Sequence, residues 1–162
     1  MEIRINDEPY WTTRDIEHSR KYREYYGLKI TDMEYEKELQ NIQVGKPSLK
    51  KSDYVEYFDI YQDDEYIGNI EMTRIEDLGE PFWEIGVAIF DQFSNKNYAR
   101  KALKQFFDEN KWRYKNERIE AIVRVQNPEK ERIKAVLVSS GFSRCNDGEG
   151  DWCFERGKGG LP

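Results

Sequence analysis

The sequence predicts a mixed α+β fold, and three observations carry that prediction. Two aromatic-rich runs in the middle of the chain, at 54–62 and 65–75, alternate in polarity, the period of half-buried strands. Segments at 13–26, 32–43, 98–112 and 128–140 instead carry helix signals. From residue 82 onward the order reads strand, helix, strand, helix, hairpin.

Residues 13–26 (TRDIEHSRKYREYY) set Ile16, Tyr22, Tyr25 and Tyr26 among charges and stop at Gly27, a helix with a glycine cap. Residues 32–43 read as a second, weaker helix, closed by the breaker Gly45-Lys46-Pro47-Ser48. YVEYFDIYQ at 54–62 turns at Asp63-Asp64 into EYIGNIEMTRI at 65–75, a hairpin. FWEIGVAIF at 82–90 is more continuously apolar, as a central strand covered on both faces is. Between Tyr98 and Trp112, Leu103, Phe106 and Phe107 share one helical face. RIEAIVRV at 118–125 is a further strand, and PEKERIKAVLVSS at 128–140 a helix opened by proline in its first turn. FSRC and DWCFER, joined by NDGEG, form a terminal hairpin, and the tail GKGGLP is expected to fray.

Composition narrows the function classes. A chain of 162 residues with 38% hydrophobic and 14% aromatic content suits one domain with a real core and argues against disorder. Its parts are an N-terminal helical region (1–50), a sheet region (51–156) and the tail (157–162). No run is long and apolar enough to span a membrane, and MEIRINDEPYW lacks the apolar core of a signal peptide. A cytoplasmic protein without a membrane partner is expected. Cys145 and Cys153 have no metal-type spacing or companion histidine, so no metal site is expected. They are positioned to pair across the terminal hairpin, yet without an export signal two reduced thiols are the expectation. The net charge of −6 disfavours nucleic acid. Lys46, Lys50 and Lys51, like Arg20, Lys21 and Arg23, are interleaved with acids and read as solvated surface. An acidic chain is better matched to a cationic acceptor such as an amine.

The stretch Phe82–Leu103 (FWEIGVAIFDQFSNKNYARKAL) reads as a strand, a polar loop and the opening of an amphipathic helix. Such a loop aims backbone amides, here those of residues 95–99, at an anion such as a pyrophosphate. Lys96 and Arg100 add positive charge. A second block follows, a strand closed by Val125-Gln126-Asn127 and a helix running to Ser140-Gly141-Phe142. In this order and spacing the two blocks resemble the GCN5-related N-acetyltransferase (GNAT) superfamily, from about Tyr54 to Arg156. The family's cofactor block is a strand with Glu-Ile-Gly, then Arg/Gln-x-x-Gly-x-Gly/Ala, then a helix opening Thr-Glu-Ala-Leu. Here Glu84-Ile85-Gly86 leads to Ser94, Asn95, Lys96, Asn97, Tyr98 and Ala99, followed by Arg100-Lys101-Ala102-Leu103. Ser94 replaces the leading Arg/Gln and Asn97 the central glycine; asparagine is the non-glycine residue most tolerant of left-handed angles. Taken alone, the loop also reads as an ordinary polar connection.

The resemblance implies a twisted, mostly antiparallel sheet of roughly six to seven strands with a splayed parallel central pair, flanked by about four helices. It implies acetyl-CoA as cosubstrate and an amine acceptor, whether a protein N-terminus, a peptide or a small amine. The pantetheine arm would lie between strands 82–90 and 118–125, meeting Val87, Ala88 and Ile89, with the phosphates on residues 94–100. Asn127 would bond the cofactor or the following turn, and it equally reads as a helix cap. Glu84 would be the base and an N–H of Val87 or Ala88 would hold the oxyanion; the alternative for Glu84 is an exposed or ion-paired strand-end carboxylate. Many members carry a tyrosine where Leu137 stands, and the segment 136–142 is closer to the ribosomal-protein N-terminal acetyltransferases. The departures leave open a catalytically degenerate acyl-CoA-binding or protein-interaction module. The N-terminal helices and the loops beside the meander would set the acceptor, with Tyr22, Tyr25, Tyr26, Tyr57 and Tyr61 lining its groove or belonging to core. His18, the single histidine, is expected at solvent. Monomer and homodimer are both compatible.

Overall fold

A computed structural model describes residues 1–48, 51–52 and 54–157. The expectations for Lys50 and for residues 158–162 of the tail lie outside the described residues. In chain order the elements are β1 (Glu2–Ile5), α1 (Thr13–Tyr22), α2 (Asp32–Gln43), β2 (Val55–Gln62), β3 (Glu65–Ile75), β4 (Phe82–Ile89), a 3-10 turn (Asp91–Phe93), α3 (Tyr98–Glu109), β5 (Ile119–Val123), α4 (Lys130–Ser139), β6 (Ser143–Arg144) and β7 (Trp152–Arg156). Two compact units result, residues 6–53 and the remainder. Among the described residues, no helix is long and apolar enough to cross a membrane.

The larger unit is built on a seven-stranded sheet in the order β1-β2-β3-β4-β5-β7-β6. Every neighbouring pair is antiparallel except β4 and β5. Asp63 and Asp64 both take positive φ (52° and 62°), the two-residue turn whose twist matches the flanking strands of a hairpin. Ala102, Leu103, Phe106 and Phe107 of α3 are buried with Phe58, Ile70, Met72, Ile85, Ile119, Ala121 and Phe154 of the sheet. Phe106 meets Phe58 edge-on at 4.9 Å between ring centroids. At the end of α4, Gly141 (φ 89°) lets the chain reverse and drops Phe142 into the same core.

The smaller unit pairs α1 with α2. Both helices open on a capping box, Thr12 with Asp15 and Thr31 with Glu34, which satisfies two of the orphan amides at each end. Ser19 Oγ and the Tyr35 hydroxyl share a buried hydrogen bond of 2.9 Å. His18 is half-buried rather than at open solvent, its Nε2 2.8 Å from the Tyr26 hydroxyl.

Two further expectations are corrected, and one strand was not anticipated. Lys51 is not solvated: it is 7% exposed and its Nζ lies 3.2 Å from Asp15 Oδ1, because a buried ammonium needs a buried counter-charge. Cys145 and Cys153 are not reduced thiols but a disulfide. The Cys145 N–H donates to Cys153 O at 2.9 Å and holds the two Cα atoms 5.4 Å apart, inside the span a disulfide bridges. Finally, β1 stands at the sheet edge, paired from Glu2↔Tyr61 to Ile5↔Phe58. The four residues EIRI are too short to display a period of their own.

Element ends also moved. Helix α1 stops at Tyr22, and hydrogen-bonded turns carry the chain to Gly27 (φ 65°). Helix α3 stops at Glu109, where the Asn110 side chain donates to Phe106 O at 3.0 Å and closes the last turn. Strand β5 ends at Val123, since the Val125 N–H has left the sheet for Asp151 Oδ1 at 2.9 Å.

Candidate active site

Strands β4 and β5 form a fork. They pair at Trp83↔Ile119 and Glu84↔Glu120, and the ladder stops there although β4 continues to Ile89 and β5 to Val123. Two hydrogen bonds fix which way the backbone of β4 faces. The Trp83 N–H donates to Arg118 O and the Phe90 N–H to Ile67 O, each at 2.9 Å. Successive residues of a strand turn their backbone groups to opposite neighbours. Ile85, Val87 and Ile89 therefore present N–H and C=O to the gap, and Gly86 and Ala88 present theirs to β3. Gly68 bears this out, since a Cβ there would sit 2.0 Å from Ala88 O. Of the strand residues singled out by sequence, Val87 and Ile89 border the fork with their backbone, while Ala88 does so only as a small side chain on the face shared with Glu84.

Glu84 occupies the last paired rung, half-buried. Burial pushes its carboxyl up from the ordinary value, the neighbouring Glu120 pushes further, and Arg124 pulls the other way. Glu120, which no motif flags, lies directly across the rung, with Oε1 3.3 Å from Arg118 Nη2.

Beyond β4 the 3-10 turn delivers the chain to Ser94, Asn95, Lys96 and Asn97. Asn95 and Asn97 both adopt left-handed angles (φ 64° and 59°), so the turn survives without the family's glycine. Asn97 is the N-cap of α3, yet its side chain makes no capping bond. The first intrahelical bond runs from the Lys101 N–H to Asn97 O at 3.1 Å, and the amides of Tyr98, Ala99 and Arg100 precede it without intrahelical acceptors. Lys96 and Arg100 are exposed beside them. Arg132 of α4, missed in the sequence, reaches over to bond Asn95 Oδ1, bringing a further cation to the loop. Asn127 is not the helix cap it also resembled, since Glu129 is the N-cap of α4; its Oδ1 accepts from the Glu129 N–H at 2.9 Å in a turn just before the helix. Leu137 is core, 5% exposed.

These residues fit an extended ligand with amides along its length and phosphates at one end. Half-buried backbone groups on a splayed strand want polar partners, and an uncapped helix N-terminus ringed by cations wants an anion. The sequence model of the acetyltransferase (GNAT) domain matches residues 2–143. The chain belongs to the GNAT family.

Solved structures similar to this GNAT domain agree on the fold. One is the N-acetyltransferase PseH of Campylobacter jejuni in complex with acetyl coenzyme A, at 14% identity and TM-score 0.58, covering 95% of this chain and 97% of that one. The ribosomal-protein-alanine N-acetyltransferase of Brucella melitensis matches at 14% identity and TM-score 0.60, covering 96% and 98%. Spermidine N-acetyltransferase of Vibrio cholerae, solved with CoA and spermine, matches at 15% identity and TM-score 0.57, covering 94% and 92%. No curated protein matches by sequence. The GNAT domain is an acetyl-CoA-dependent acetyltransferase domain, and its seven-stranded sheet with one parallel pair is the expected architecture.

Proposed function

We propose that this GNAT domain transfers the acetyl group of acetyl-CoA to a primary amine by direct attack in a ternary complex. The observation that carries the reading is the fork, where the backbone of Val87 and Ile89 faces a gap that begins at Glu84. In this reading the amides of residues 95–100, with Lys96, Arg100 and Arg132, neutralise the pyrophosphate. Val87 and Ile89 bond the pantetheine amides, and Asn127 shapes the turn beside them. Glu84 takes the proton from the acceptor ammonium, and its proton affinity, raised by burial and by Glu120, makes it a stronger base than an exposed glutamate. The Val87 N–H donates to the oxyanion. Ala88 leaves room for the acyl group instead of donating. With Leu137 in the core, the thiolate departs without a side-chain acid at that position.

A coupled measurement tests the reading. Acetyl-CoA at saturation is expected to raise the melting temperature, and thiol release is expected with at least one member of a panel spanning polyamines and peptide N-termini. Glu84→Gln should lower turnover by about a hundredfold or more while keeping the acetyl-CoA thermal shift. A shift without thiol release from any amine would favour the binding-module alternative. Neither a shift nor release would leave only a plain interaction domain.

A further inference from the structure

The rung at the base of the fork carries more than Glu84. On that sheet face, register places Thr73, Glu84, Glu120 and Glu155 side by side across β3, β4, β5 and β7. Glu120 faces Glu84 directly across the rung. Its side chain is 16% exposed, Oε1 lies 3.3 Å from Arg118 Nη2, and Oε2 lies 3.8 Å from Cys153 Sγ. That sulfur is in a disulfide and has no proton to give, so the Arg118 guanidinium is the charged group that holds the Glu120 carboxylate in place. The Arg118 side chain is itself fixed over the Phe82 ring at 4.9 Å.

We propose that Glu120 is a positioning residue for the acceptor's deprotonation, its Arg118-anchored carboxylate strengthening Glu84 as a proton acceptor at the mouth of the fork. The inference rests on the reading of Glu84 as base. Two carboxylates on one half-buried rung disfavour double ionisation, so a fixed charge on one holds the proton on the other. The other charged groups around Glu84 do not supply this effect. Glu71 is diagonal to it on β3, Glu155 lies a strand beyond Glu120, and Arg124 acts in the opposite sense. Burial remains the larger contribution, and Glu120 adds the part that a neighbouring residue can tune.

The test is a pH titration of the full chain by carbon-13 NMR of glutamate carboxyls, with the Glu84 signal assigned from its loss in Glu84→Gln. Glu120→Gln is expected to move the Glu84 midpoint to lower pH, and Glu120→Asp to leave most of the native midpoint in place. Arg118→Gln releases the Glu120 carboxylate from its anchor and should also move the Glu84 midpoint to lower pH, which gives a reading even if Glu120→Gln fails to fold. An unmoved midpoint in Glu120→Gln, equal falls in both Glu120 variants, or an unmoved or raised midpoint in Arg118→Gln would each overturn the proposal. The titration needs neither acetyl-CoA nor an acceptor. Absence of thiol release would therefore count against the base role of Glu84 and leave the midpoint comparison standing, and normal release with unmoved midpoints would sink the Glu120 inference alone.

Discussion

Glu84 ties its chemistry to the stability of the fold. Its carboxyl is raised above the ordinary 4.5, burial first and Glu120 second, so the folded state prefers it protonated. The sign follows by linkage: this contribution is fully present below the unfolded value and is lost as pH rises through the raised folded value. Glu84→Gln keeps the shape and cannot ionise. It is expected to gain stability relative to the native chain as pH rises above the ordinary value of 4.5, read from urea melts at a series of pH values. A difference that stays flat with pH would mean Glu84 is solvated like a surface glutamate. Glu84 was legible in the sequence because a local motif holds it. Glu120 was not, because its meaning arises from register between strands far apart in the chain. Arg132 was hidden for the same kind of reason, since only the packing of α4 beside the loop brings it to Asn95.

Strand β4 shows what a period can and cannot convey. The run 82–90 was readable from its continuous apolarity and β3 from alternation, and the bounds of α2 and β3 were read to the residue. The direction of each backbone amide was not, which is why Val87 and Ala88 stood as equals until the bonds at Trp83 and Phe90 separated them. Gly68 makes that geometry testable. Gly68→Ala would drive a methyl into Ala88 O, 2.0 Å from the new carbon, and must push β4 away from β3. The expected cost is about 1–3 kcal/mol or more, seen as a lowered melting temperature. Gly86→Ala is the control on β4 itself, where the nearest atom to the added carbon is Glu71 Cβ at 3.9 Å, an ordinary contact. Equal stability of the two variants would contradict the close approach at Gly68.

Across the whole molecule the class of fold was plain from the order of elements, because alternating and helical periods survive in short windows. One edge of the sheet, β6, was legible as the first arm of the terminal hairpin, whereas the other, β1, was not, since its four residues form a strand only against a neighbour. The disulfide belongs to the β6 edge. It closes a ring between residues eight apart in sequence, removing about 2.5 kcal/mol of chain entropy from the unfolded hairpin on the usual loop estimate. What it guards extends beyond the hairpin. With β6 clamped in place, the outermost strand is only two residues long and gives little purchase to another chain. Opening the bond would let β6 peel away and leave the five residues of β7 as a bare border, with a row of unpaired amides and carbonyls facing solvent. Light scattering under a reductant is expected to report self-association of chains that stay dispersed when oxidised, and unchanged scattering would mean that β6 holds without its clamp. On that account the sulfur bridge at the rim of this enzyme's sheet serves colloidal solitude, a property that no assay of acetyl transfer would detect.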